Sequence, residues 1–376
     1  EIRTVNTYES GETWVVKVGS SLLSSEGAGI DRALIDALVT QIARLRKLGK
    51  RVVLVSSGAV AVGAKRLGIA GRPSSLHELQ AAAAVGQMGL IQAYETAFQR
   101  FDILTAQVLL TNDDLLSRKR YLNARNTLTK LMDMNTIPIV NENDTVVTDE
   151  IQFSDNDSLA ALVTNLINAD SLVILTDQPG LLSEDPSVNS AAELIKEAST
   201  SDSALLKIAG KSAVAGVGTG GMLSKVHAAR IAGKSGASTV IASGRSEDVL
   251  IDIEAGKMPG TLFRSEKGAV IAKKQWLASL RSAGTLILDK GACEQLTFKG
   301  SSLLPVGVKE SIGEFKRGDA VTCCNETGKE IGRGLINYSS SQVSKIYGKP
   351  TSEIESQLGF LSEEELIHRD NFVLLE

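Results

Sequence analysis

The chain has 376 residues, 43% hydrophobic and 22% charged, an ordinary globular composition with apolar mass for two or three domains. Its formal net charge of −4 offers no basic field to nucleic acid or an anionic membrane, and no apolar run approaches the roughly 20 residues of a membrane span. Cys293, Cys323 and Cys324 are too few for a disulfide framework, and His77, His227 and His368 lie far from them, so zinc-ligand spacing is absent and a reducing, cytoplasmic setting is the expectation.

In chain order, the first element is WVVKV (14–18), which runs into Gly19-Ser20-Ser21. A lysine in an apolar strand is costly unless its ammonium has a partner; the bland reading is a lysine snorkelling from a strand end. The glycine after the strand favours a phosphate-facing turn at the carboxyl edge of a sheet. Leu34, Leu38, Ile42 and Leu45 then keep helical spacing over 31–48, with Asp31 as N-cap and Gly49 as stop. RVVLV (51–55) ends in Ser56-Ser57-Gly58. Ser57 lacks the glycine two residues before it that a nucleophile elbow needs, and no histidine stands nearby.

ILTAQVLL (103–110) and TIPIV (136–140) are two further buried-type strands, the second followed by Asn141, Glu142, Asn143 and Asp144. Ser154, Asp155, Asn156 and Asp157 open the next helix, with capping by Ser154 or Asp155 as the plain expectation. Capping needs one such residue, and two Asn/Asp clusters suggest a site that grips an ammonium group and organises lysines. A calcium loop would need a glycine that is missing here. SLVIL (171–175) ends in Thr176-Asp177, again at a carboxyl edge. STVIA (238–242) closes the series, and the β-α-β alternation predicts an α/β fold, a mainly parallel sheet covered by helices on both faces.

Between the last two strands, Gly216, Gly218 and Gly221 fit G-x-G-x-x-G, yet no strand runs into them and the next acidic residue is Glu247, too late to hold a ribose. Two G-K-S triplets (210–212 and 233–235) lack the upstream glycine of a Walker loop, holding Leu205 and Ala228 instead. A plain flexible turn competes with an anion site made of bared N–H groups and Lys225 at a helix start. From Gly284 the texture changes to short strand-like runs, TLILD, SSLLPVGV, DAVTCC and EIGRGLINY, that predict a small β domain. The expected division is therefore 1–270 for the α/β domain, 284–362 for the β domain and 363–376 for a tail.

VVKVGSSLL, VSSGAVAVG, AVGQ, YLNARNT, PIVNENDTV, DNDSLAAL, LTDQPGL, GVGTGGMLSK and GSSLLPVGVK, in this order, resemble the glutamate 5-kinases of the amino-acid kinase superfamily, whose tail is a PUA domain. Pro179, where a lysine often occurs, and Leu223-Ser224 depart from the family pattern. The resemblance implies an αβα kinase fold with a PUA-like β domain, and transfer of a phosphoryl group from ATP, with Mg²⁺, to the γ-carboxylate of L-glutamate. It implies that Lys17 and Lys225 flank the transferring group and that Asp157 orients them. Ser57, Asp144 and Asn156 would bind glutamate. Lys17, Thr176, Asp177, Thr219, Gly220, Gly221, Met222, Leu223, Ser224 and Lys225 would bind ATP. A homotetramer, coupling to a glutamyl phosphate reductase, and no membrane or nucleic-acid partner complete the expectation.

Rival readings stay open: a sister kinase acting on a related carboxylate, an NAD dehydrogenase, or an RNA-binding protein acting through the tail. The last meets a balance of nine Lys/Arg against nine Asp/Glu over 284–362, so the tail has no basic footprint.

Overall fold

The computed structural model describes residues 11–25, 29–71, 73, 75–146, 156–184, 189, 191–202, 204–211, 221–265, 277 and 280–375. The chain forms two compact units, Glu1–Leu115 with Arg125–Ala269, and Leu116–Ala124 with Val270–Glu376.

The strands of the first unit are β1 (Thr13–Val18), β2 (Ser24–Ser25), β3 (Gly29–Ile30), β4 (Arg51–Ser56), β5 (Thr105–Leu110), β6 (Ile137–Glu142), β7 (Ser171–Thr176), β8 (Glu197–Ser199), β9 (Ser238–Ser243) and β10 (Thr261–Arg264). The short β2 and β3 form an antiparallel pair of their own. The others make one sheet in the order β5-β6-β4-β1-β7-β9-β10-β8, parallel throughout except where β10 meets β9. All six strands expected from the sequence are present in it. The short strands β8 and β10, with little apolar sequence of their own, were not among the expected ones.

Helices α1 (Ser20–Leu23), α2 (Arg32–Lys47), α3 (Ala59–Arg66), α4 (Leu76–Gln99), α5 (Asn112–Leu116), α6 (Arg118–Asp133), α7 (Asp157–Ile167), α8 (Ala204–Lys211), α9 (Met222–Gly233) and α10 (Val249–Glu254) connect them. The period-2 alternation of β1 sorts its residues between two faces. Trp14, Val16 and Val18 join a core with Leu38 and Ile42 of α2, Tyr94 and Phe98 of α4, and Leu250 of α10. Lys17 has the opposite parity, and β1 meets α7. Asp31 caps α2 as expected, its carboxylate accepting from the Leu34 N–H at 3.0 Å.

Helices α3 and α4 cross at backbone contact. A Cβ on Gly63 would lie 1.6 Å from the Ala82 carbonyl oxygen, and one on Gly86 would lie 1.7 Å from that of Ala59. Only glycine permits this approach, which brings the middle of α4 against the start of α3 just after β4.

In the second unit β11 (Gly284–Leu288), β12 (Val308–Ile312), β13 (Ala320–Asn325), β14 (Glu330–Leu335) and β15 (Phe372–Leu374) form one sheet in the order β12-β11-β13-β14-β15. Helices at Lys290–Lys299 and Ser340–Ile346 accompany it. Two details differ from the sequence expectation. SSLLPVGV is mostly not a strand, because Pro305, with fixed φ and no N–H, opens a 3-10 turn over Pro305–Gly307. Residues 363–376, read as a tail, supply β15, whose Phe372 to Leu374 pair with Gly334 to Gly332. The core holds Leu286, Val321, Cys323, Ile336 and Tyr338. Burial pushes the Cys323 thiol far up, which makes it an inert packing residue.

Candidate active site

Because β6, β4, β1 and β7 are neighbours and parallel, their carboxyl ends line up along one edge of the sheet. Asn141 and Glu142 end β6 and Asn143 and Asp144 follow it, Ser57 and Gly58 follow β4, Gly19 follows β1, and Asp177 follows β7. Gly58 has φ of 95°, a left-handed turn that redirects the chain from β4 into α3.

The centre of this edge is a buried charge triad. The Asp157 carboxylate, at the first turn of α7, lies 2.6 Å from Lys17 Nζ through Oδ1. Its Oδ2 accepts from Lys225 Nζ at 3.1 Å. Lys17 and Asp157 are fully buried and Lys225 is 4% exposed, so two cations face one anion with almost no water. Burial drives the Lys17 ammonium down to about 8, with Lys225 adding to the fall and Asp157 opposing it. Burial alone would raise Asp157, but the charges and hydrogen bonds of both lysines hold it below the usual carboxylate range. A net cationic, desolvated cluster of this kind is suited to receive an anion.

Lys225 reaches the triad from the first turns of α9. Gly221, extended at the N-cap, offers no side chain to the first-turn N–H groups of that helix. Met222, Leu223 and Ser224 fill its first turn, while Thr219 and Gly220 lie outside the described residues, as do Ser154 and Asp155. Thr176 is buried and donates its hydroxyl to Asp177 at 3.0 Å.

On the other side of β1 stands a network of amides. Asn156 Nδ2 donates to the Ser56 carbonyl at 2.6 Å and to Asn141 Oδ1 at 2.5 Å. Its backbone N–H faces the Ser57 hydroxyl at 3.4 Å. Asn156 itself is the N-cap residue of α7, a position the sequence assigned to Ser154 or Asp155, and its side chain makes no cap bond because it is committed to this network. Asp144 sits in the turn after β6. Among the described residues it makes no hydrogen bond to Ser57 or Asn156. Burial raises its carboxyl to about 6, and burial with the Asp144 charge raises Glu142 to about 7. Two partly desolvated carboxylates with no ion pair to a cation among the described residues favour a cationic guest.

The structure therefore joins Lys17, Asp157 and Lys225 in one contact and Ser57 with Asn156 in another, with Asp144 and the Thr176-Asp177 pair at the flanks. Sequence reasoning on individual residues passed over Gln87, whose Oε1 accepts from Asn141 Nδ2 at 2.6 Å. A signal existed: Gln87 shares the α4 stripe of Ala83, Leu90 and Tyr94, which are buried, and a polar residue on such a stripe needs a reason.

Residues 12–243 match the amino acid kinase family and residues 284–358 match the PUA domain. A glutamate 5-kinase of Alcanivorax borkumensis is 55% identical over 97% of both chains. One of Nitrosomonas eutropha is 54% identical over 99% of this chain and 100% of its own. The chain belongs to the glutamate 5-kinases of the amino acid kinase family. A third member of the family, from Bordetella parapertussis, is 55% identical over 98% of both chains. A carbamate kinase from Giardia lamblia, solved bound to AMP-PNP, is 18% identical with a TM-score of 0.49 over 68% of this chain and 99% of that one. The stretch that matches the PUA domain falls within the second unit, and no helix among the described residues is long and apolar enough to cross a membrane.

Proposed function

We propose that the chain transfers the γ-phosphoryl group of ATP, bound as its Mg²⁺ complex, to the γ-carboxylate of L-glutamate, yielding L-glutamyl 5-phosphate for proline synthesis. The Lys17–Asp157–Lys225 triad carries this reading. A γ-carboxylate has a pKa near 4.3 and is ionised at neutral pH, so the reaction needs no general base. Its obstacle is the approach of an anion to a polyanion, which fixed cations in a water-poor pocket relieve. Lys17 and Lys225 flank the transferring group, and Asp157 holds both in place while leaving one net positive charge.

The order of strands supports a division of the edge. Glutamate lies toward β4 and β6, with Ser57 and Asn156 beside it and Asp144 on its ammonium. ATP lies toward β7 and β9, with Thr176, Asp177 and the 219–225 segment around it. Mg²⁺ comes with the nucleotide phosphates. A homotetramer, delivery of the acyl phosphate to a glutamyl phosphate reductase, and a cytoplasmic setting are supported by the family resemblance.

The test is ATP-dependent hydroxamate formation with glutamate, aspartate and N-acetylglutamate. Glutamate is expected to react and N-acetylglutamate to fail, because acetylation removes the ammonium that Asp144 faces. Equal turnover of the two would move the protein to a sister kinase.

A further inference from the structure

The amides of Asn156, Asn141 and Gln87 form a chain whose orientation is fixed by backbone groups. A carbonyl oxygen only accepts, so the Asn156 atom 2.6 Å from the Ser56 carbonyl is Nδ2. A backbone N–H only donates, so the Asn141 atom receiving the Glu142 N–H at 2.9 Å is Oδ1. Asn141 Nδ2 therefore faces Gln87, and the Gln87 atom that receives it at 2.6 Å is Oε1. The remaining Gln87 atom is Nε2, with two N–H groups. It is buried and has no hydrogen-bond partner among the described residues.

A buried donor left empty is destabilising, because it has lost its water and gained no partner. Here the empty donor ends a network that begins at Asn156, the residue next to Asp157. Gln87 touches β6, which lies two strands from β1, a span of roughly 10 Å along the sheet. It is thus removed from the Lys17–Asp157–Lys225 triad, on the side away from β7.

We infer that Gln87 is a substrate-positioning and specificity residue whose Nε2 donates to the α-carboxylate of the bound amino acid. This rests on the glutamate reading above and deepens it. Of the three charged groups on glutamate, the ammonium cannot accept a hydrogen bond, and the γ-carboxylate is held at the lysines. The α-carboxylate is the one acceptor left for this donor. Asp144 and Gln87 then read the two substituents of the α-carbon separately, one by charge and one by hydrogen bond.

The experiment uses the full chain with Gln87→Met and Gln87→Glu, assayed above neutral pH. Gln87→Glu keeps the Oε1 that Asn141 needs, replaces the donor by an acceptor and adds a negative charge that repels an α-carboxylate. Both variants are expected to raise the glutamate KM roughly tenfold or more, as loss of a hydrogen bond to a charged group does. Their kcat and ATP KM should stay within about twofold of wild type. A second readout is inhibition by 4-aminobutyrate, which has the ammonium and the distal carboxylate and lacks the α-carboxylate; its Ki should be the same in wild type and Gln87→Met.

A normal glutamate KM in Gln87→Glu, with or without a defect in Gln87→Met, would reduce Gln87 to a prop for Asn141 and overturn the inference. A 4-aminobutyrate Ki that rises together with the glutamate KM would overturn it too. Failure of the underlying reading has a different signature, the absence of glutamate turnover in the wild-type protein.

Discussion

Lys17 was legible in the sequence as an anomaly, a cation inside WVVKV, and the structure gives its physical reason. Its parity on β1 turns it away from Trp14 and Val16 and toward α7, where Asp157 waits at 2.6 Å. Replacing Lys17 or Lys225 by Met should lower kcat roughly a hundredfold or more, because a preorganised charge on the transition state is lost. Lys17→Met should fold and melt no earlier than wild type, since Asp157 keeps Lys225 as its partner and the buried Lys17 ammonium, pulled down to about 8, opposes folding. A variant with normal kcat and only a raised KM would make its lysine a ground-state contact.

The charges also set a pH window. A carboxyl raised to about 6 takes up a proton as pH falls through that value, so Asp144 then loses the negative charge offered to the ammonium. An ammonium lowered to about 8 gives up its proton as pH rises through that value, so Lys17 then loses its positive charge. Because kcat/KM reports groups of the free enzyme, the profile for glutamate should fall on both sides of this interval. Glu142, titrating near 7 beside Asp144, should broaden the acid limb. Asp144→Asn should raise the glutamate KM far more than the ATP KM and should flatten that acid limb. An unchanged limb would return Asp144 to a turn role.

At the scale of elements, the strands and the residues at their ends were readable because buried parallel strands are continuous apolar runs and their carboxyl ends collect ligands. What sequence could not show is depth. GAVAVG and AAAAVGQMG look like weak helix segments rich in small residues, and only the fold reveals that Gly63 and Gly86 face each other's helix at backbone contact. Gln87 follows Gly86 directly on α4, beside that contact. Gly63→Ala has no room for its methyl and should cost about 2–3 kcal/mol or more through forced separation of α3 and α4. Its glutamate KM should rise with the instability while its ATP KM moves less, because α4 leans on the β6 side of the edge. Thermal melting and steady-state kinetics on the same preparation would check both, and an unaltered melting point would show that α3 and α4 separate at little cost. The cap of α7 shows a related limit: the choice of Asn156 over its neighbours depends on Ser56 and Asn141, which lie far away in sequence.

At the scale of the molecule, the change of sequence texture near Gly284 gave no sign that an earlier stretch of chain packs with the β-rich unit. The structure adds the stretch Leu116–Ala124 to that unit. There Leu122 is fully buried among Leu277, Ala320, Leu335 and Val373, with Tyr121 against the same cluster. All groups assigned to chemistry precede residue 226, so a chain cut near Ala283 should still phosphorylate glutamate. It should do so as a less soluble protein, because the cut strips Ala320, Leu335 and Val373 from Leu122 and leaves that side chain and Tyr121 in water, an apolar surface that invites association. Adding Leu122→Gln to the truncated chain removes the exposed leucine and should restore a defined mass by light scattering without changing kcat. Hydroxamate activity and mass, compared among full-length, truncated and Leu122→Gln truncated chains, separate the roles of the second unit. If the soluble truncated chain is well folded and has no activity, the PUA domain completes the active site, and the assignment of catalysis to the first unit alone is wrong. If it is active and has lost only its assembly, the second unit acts by biasing the states of the first, the one route open to a domain without catalytic groups.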